Sequence, residues 1–191
     1  MECFSSDEKF NQLYSAEISA LASRHWTPLS VAKEAAAFLA VGANARILDI
    51  GSGVGKFCMI GAQFHPNTIF TGIEQRESLT QIAQLVSERL LLKNTIFLTG
   101  NFTDIDFTQY HHFYFYNAFY ENLIDNDAID QTVVQRPELF NLYNRKLFKQ
   151  LKKLPAGTRI ATFHSSENEM PSSYQVVGTG SNEDLKFWVK I

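Results

Sequence analysis

The 191 residues suffice for one domain with a sizeable core, and 45% hydrophobic with 19% charged residues is the balance of a globular chain. A net charge of −3 compels no nucleic-acid partner, and two cysteines, Cys3 and Cys58, exclude a disulfide framework and lack metal-ligand spacing. No apolar run approaches the ~20 residues of a membrane helix and the acidic N-terminus does not read as a signal peptide, so reduced thiols in a cytoplasm are expected.

Residues 5–25 carry Phe10, Leu13, Tyr14, Ile18, Leu21 and Ala22 at helical spacing, which predicts one helix capped by Ser5 or Ser6. Pro28 can start a second helix that runs through Val31, Ala35, Phe38 and Leu39 to a cap at Gly42. A strand then ends in Asp49 and is followed by Gly51-Ser52-Gly53-Val54-Gly55, with a helix from about Lys56. Glycines let such a loop turn sharply and let a ligand approach the backbone, and the helix points its free N–H groups at that ligand. This is the opening of a nucleotide-binding βαβ unit. The spacing is G-x-G-x-G rather than the dinucleotide G-x-G-x-x-G, and no Gly-Lys-Ser/Thr ending marks a triphosphate loop.

A second strand, 68–74, ends in Glu74, about 20 positions beyond the loop, where a carboxylate grips ribose hydroxyls. Residues 77–92 form an amphipathic helix, 95–99 a third strand, and Gly100-Asn101-Phe102-Thr103-Asp104 follows it. The fourth strand, 113–116, is aromatic, and Asn117 to Glu121 fall at its carboxyl end, where open parallel sheets bind ligands. Asp125, Asp127 and Asp130 lack the turning glycine of a calcium loop and read as solvated acidic surface. Pro137 opens a long helix to Lys153 with a basic face of Arg145, Lys146, Lys149, Lys152 and Lys153, read as solvated and suited to the helix's C-terminal end. Strands at 159–163, 173–177 and 185–191 complete a count of seven.

Asp49-Ile50-Gly51-Ser52-Gly53-Val54-Gly55 resembles motif I of the class I, seven-strand, S-adenosylmethionine-dependent methyltransferases. Its Asp-x-Gly-Ser-Gly-Val-Gly and an Asn-x-Phe stretch also echo the seven-strand histone-lysine methyltransferase group. The resemblance implies an α/β fold: a three-layer, Rossmann-like, seven-stranded and mostly parallel sheet with one antiparallel strand. It implies one methyltransferase domain, with N-terminal helices in 1–45 as a cap and a Rossmann-like core in 46–191. Asp49, Gly51, Ser52, Gly53, Gly55, Glu74, Gln75, Asn101 and Phe102 would hold S-adenosyl-L-methionine, Asp49 facing its cationic end. Glu74 matches the motif II acid, Asn101 would accept from the adenine amino group with Asp104 as fallback, and Phe102 would cover the ring. Asn117 and Tyr120 would face the transferred methyl, Tyr14 and Trp26 would act as lid or substrate contacts, and His164 is a candidate general base. The alternatives are an NAD(P)-dependent oxidoreductase and a non-catalytic nucleotide-binding module of the same fold. Low net charge and an aromatic pocket mouth favour a small molecule or a protein side chain over nucleic acid as methyl acceptor.

Overall fold

A computed structural model describes residues 1–123, 129–165 and 170–191. Asp125 and Asp127 of the sequence reading lie outside the described residues. Seven strands form one sheet in the order β3-β2-β1-β4-β5-β7-β6, where β1 is Arg46–Ile50, β2 Ile69–Glu74, β3 Thr95–Thr99 and β4 His112–Tyr116. The far side holds β5 (Arg159–Phe163), β6 (Tyr174–Thr179) and β7 (Leu185–Lys190). Strands β1 to β5 pair in parallel, and β7 runs antiparallel to both β5 and β6. After β1 the chain moves outward to β2 and β3, then returns to the other side of β1 as β4. That reversal opens a crevice beyond the carboxyl ends of β1 and β4.

Each central strand is apolar on both faces, and helices cover both. On one face, Ile47, Phe70 and Tyr114 join α4 (Leu29–Leu39), α5 (Lys56–Phe64) and α6 (Glu77–Arg89) in one cluster. Here Phe57 stacks on Tyr114, ring centroids 3.9 Å apart. On the other, Leu48, Ile50, Phe113 and Phe115 pack with Phe102, Phe119 and α7 (Pro137–Lys153). No helix among the described residues is long and apolar enough to cross a membrane.

The N-terminal segment departs from its expectation. In place of one helix it forms a 3-10 turn (Glu2–Ser5) and three short helices, α1 (Asp7–Asn11), α2 (Ala16–Ala20) and α3 (Ala22–His25). Serines break it: Ser6 Oγ caps Lys9 N–H and Ser15 Oγ caps Ile18 N–H, and Ser19 Oγ donates to Asn11 O. Such side chains offer the backbone an alternative to continuing a helix. The apolar spacing survives because Phe10 and Tyr14 still reach the cluster around α5. The next helix ends at Leu39, earlier than the expected cap at Gly42, which sits in the following turn with φ 83°.

Candidate active site

The loop between β1 and α5 folds back on β2: Gly51 N–H and Ser52 N–H both donate to Ile73 O, at 2.9 and 3.1 Å. Gly53 and Gly55 take φ of 52° and 75°, a region costly for residues with a Cβ. A Cβ at Gly53 would lie 2.6 Å from the Trp26 ring, and one at Gly55 would lie 2.4 Å from the Phe97 ring. The loop is therefore clamped by aromatic rings on both sides. Tyr14 contributes below it, donating its hydroxyl to Val54 O at 3.3 Å. Lys56 ties the same corner to the N-terminal segment: its buried Nζ donates to Asp7 Oδ1 at 2.5 Å and to Asn11 Oδ1 at 3.0 Å.

Glu74 leaves the end of β2 and reaches the loop. Its Oε2 accepts Gly53 N–H at 3.1 Å and its Oε1 accepts Arg76 N–H at 3.0 Å. Arg76, which the sequence reading passed over, is the hub of this wall. Its buried guanidinium lies 3.6 Å from Glu74 Oε1, grips both oxygens of Glu121 at 3.0 and 2.6 Å, and gives Nε–H to Asp130 Oδ1 at 2.9 Å. Asp130 is thus not free acidic surface, because a planar guanidinium satisfies it. The missed signal was an arginine two residues past Glu74 with a surplus of carboxylates downstream.

Asp49 lies outside this corner of the wall. Its carboxyl is 4% exposed and is absent from the pocket wall. It faces α5, where Cys58 Sγ approaches Oδ2 at 3.6 Å. Strand alternation puts Asp49 on the same face as Ile47, away from the crevice. Burial pushes its pKa up to about 8, eased by the Cys58 hydrogen bond and reinforced by the Glu74 charge.

Around the crevice stand Gly51, Gly53, Glu74, Gln75, Phe102, Asn117 and Tyr120, together with the expected lid contact Trp26, and the structure adds Arg76 and Glu121. Ser52, Gly55, Asn101 and Tyr14 are not part of this wall. Asn101 is occupied: Oδ1 caps Thr103 N–H at 3.0 Å, and Nδ2 donates to Tyr143 Oη at 2.9 Å and Gln75 Oε1 at 3.3 Å. Asp104 points to solvent, so Gly100 and the Phe102 ring are what this turn presents to the crevice. Phe102 stacks on Phe119, centroids 5.0 Å apart. His164 lies outside the wall, its Nδ1 3.3 Å from Asp184 Oδ2.

Asn117 differs from the other side chains of the wall. It holds φ at 48°, a strained value for a residue with a Cβ, and its Oδ1 is buried with no hydrogen-bond partner among the described residues. A buried carbonyl oxygen left unpaired costs about 1–3 kcal/mol, which a ligand would recover. The donor set also fits S-adenosylmethionine: close backbone approach at the loop, an acceptor-only carboxylate with spare lone pairs for a ribose diol, and an aromatic ring beside it.

Strand order, loop and crevice together define the class I S-adenosylmethionine-dependent methyltransferase fold. Residues 42–176 match the sequence profile of the family described as a methyltransferase domain, and the chain belongs to that family. The nicotinamide alternative falls with that match. Among solved structures, an RNA methyltransferase from Salinibacter ruber in complex with S-adenosyl-L-homocysteine superposes with a TM-score of 0.58 at 18% identity, over 86% of this chain and 91% of that one. MtNAS in complex with MTA and tNA superposes with a TM-score of 0.59 at 16% identity, over 98% of this chain and 66% of that one. These likenesses concern the fold. A tRNA (guanine-N(7)-)-methyltransferase of Synechocystis sp. is 44% identical over 54 residues, 28% of this chain, which spans 26% of that relative's length.

Proposed function

We propose that the crevice carries methyl transfer to a nitrogen that still bears a hydrogen. The observation behind this reading is the unpaired, buried Oδ1 of Asn117 at the wall. An amide oxygen can only accept, so its partner is an N–H or O–H of the acceptor, and the amine is the case that attacks through a lone pair without a base. That bond would hold the nitrogen at one fixed place while its lone pair stays free. Bound S-adenosylmethionine supplies a methyl on a sulfonium, a leaving group that needs no protonation. Alignment and exclusion of water are then the main tasks of the protein. Gly51, Gly53, Glu74, Gln75 and Phe102 would hold the cofactor, with Glu74 on its ribose. Trp26, buried against Gly53, and Tyr120, against Phe140, would close the two sides of the crevice. Residues 1–28 would serve as the cap, while α4 builds the sheet's outer layer.

Calorimetry with S-adenosylhomocysteine and with NADH, on wild type and Glu74→Ala, tests the cofactor half. S-adenosylhomocysteine binding that the substitution weakens is expected, and NADH binding in its place would sink the assignment. Transfer from methyl-labelled S-adenosylmethionine into bulk transfer RNA, a peptide pool and a primary-amine mixture tests the acceptor half. Asn117→Ala should lower transfer about 100-fold, the cost of one lost positioning hydrogen bond in a dry site, with cofactor affinity unchanged. A product methylated on a nitrogen without hydrogen, such as a guanine N7, would overturn the role given to Asn117.

A further inference from the structure

We infer that Arg24 holds the carboxylate at the methionine end of the cofactor, so that the N-terminal segment completes the cofactor site; this rests on the methyltransferase reading and adds a binding residue to it. The crevice has two unlike ends. Gln75, Gly100 and Phe102 stand where β2 and β3 finish, while Arg24, His25 and Tyr116 stand at the other end, beside β4. With Glu74 on the ribose, a flat adenine suits the side of Gly100 and Phe102, where the backbone is bare and an aromatic ring is offered. The amino-acid end then runs toward β4. It carries a carboxylate, which needs a charged or strongly donating partner there.

Two arginines and no lysine belong to the wall among the described residues. Arg76 is committed, since its guanidinium serves Glu74, Glu121 and Asp130. Arg24 stands at the end where the carboxylate arrives. A guanidinium offers a carboxylate two parallel N–H groups, a fork that an ammonium lacks. The plain account of Arg24 is a basic residue in the last turn of α3 that faces the carbonyls of its own helix. Helix α3 has only four residues, however, so few peptide dipoles add up along it and there is little for a cation to offset.

The fold fixes where Arg24 stands. Tyr116 Oη donates to Arg24 O at 2.9 Å, which ties α3 to the end of β4. Trp26, two residues on, donates Nε1–H to Ile18 O at 2.8 Å and sets its ring against Gly53 of the loop. These anchors use the backbone of Arg24 and the side chains of its neighbours, so its own side chain can be changed with the segment still in place. Arg24 also lies outside residues 42–176, the stretch that matches the family. The contact is therefore a feature of this chain's N-terminal segment and not of the shared domain.

The test is calorimetry with two probes: S-adenosylhomocysteine, and 5′-methylthioadenosine, which keeps the adenine, ribose and sulfur but lacks the amino-acid end. Wild type is compared with Arg24→Ala and Arg24→Lys. Arg24→Ala should bind S-adenosylhomocysteine about 10-fold more weakly, the loss of one charge-assisted pair, and 5′-methylthioadenosine within about twofold of wild type. Arg24→Lys should fall between the two proteins, because it keeps the charge and loses the fork. Unchanged binding of 5′-methylthioadenosine also shows that the variants are folded. Equal S-adenosylhomocysteine binding by Arg24→Ala would overturn the proposal. So would an equal loss for both probes, which marks a damaged crevice and not a missing carboxylate partner. Binding of neither probe by wild type would sink the cofactor reading and this proposal with it, whereas S-adenosylhomocysteine binding that Glu74→Ala weakens and Arg24→Ala does not would sink the proposal alone.

Discussion

Two polar residues enter the crevice from the carboxyl ends of β2 and β4, the strands on either side of β1, and their surroundings are opposite. Glu74, after β2, is satisfied by Gly53 N–H, by Arg76 N–H and by the Arg76 guanidinium. Asn117, after β4, has an oxygen with no partner among the described residues and a backbone in a strained region. The first half of the crevice is finished before any ligand arrives; the second is left incomplete. A pre-paired carboxylate holds the cofactor loop in shape, whereas an unpaired amide keeps binding energy in reserve for the acceptor.

The largest effect should come from breaking the finished side. Arg76→Ala strands Glu74 and Glu121, and loss of one partner of such a buried network costs about 3–5 kcal/mol. Chemical denaturation should show this loss, and a change below about 1 kcal/mol would mean that the network is solvated. On the unfinished side the pattern reverses. Asn117→Ala should change stability by less than about 1 kcal/mol, since removal of an unpaired buried oxygen offsets the poorer fit of alanine at φ 48°, while transfer falls about 100-fold, equivalent to about 2.7 kcal/mol. A large drop in melting temperature would place Asn117 with Glu74 as a structural group.

Asp49 sharpens the contrast, because it is a second carboxyl at the loop without the N–H partners of Glu74. Its folded pKa of about 8 lies above the ~3.9 of an unfolded aspartate, so the folded state binds the proton more tightly. The contribution is fully present below about pH 4 and is lost as pH rises toward about 8, with a slope of at most about 1.4 kcal/mol per pH unit. Melting curves across that window should flatten in Asp49→Asn, which keeps the neutral shape. An unchanged slope would show that the carboxyl is ionised in the fold. A separate effect is expected opposite the crevice, at His112, whose Nδ1 accepts Arg159 N–H at 3.0 Å. Burial lowers its pKa to about 4, so its support is present above about 6.5 and is lost as pH falls to about 4. His112→Asn should reduce that acid sensitivity in the same melts, and an identical acid limb would rule the histidine out as its source.

Membership of the fold was readable from residues alone. Three glycines after an apolar strand, an acid some 20 positions on, and alternating strand and helix patterns leave few architectures. Helices α6 and α7 and strands β3 and β5 have near the bounds their patterns predict, since long periodic segments report their own burial. Glu74, Gly53, Phe102 and Asn117 reach the crevice because backbone position at a strand end puts them there. What periodicity could not report was which way a side chain turns and what else arrives beside it. Asp49 faces α5 because strand alternation, not motif membership, sets its direction. Asn101 is consumed by Tyr143, a residue 42 positions away. Arg76 gathers Glu121 and Asp130 from 45 and 54 positions away. Those pairings join groups distant in sequence, so only the tertiary structure, which decides how each charge and each lone pair is matched, could separate the satisfied residues from those left open to a ligand.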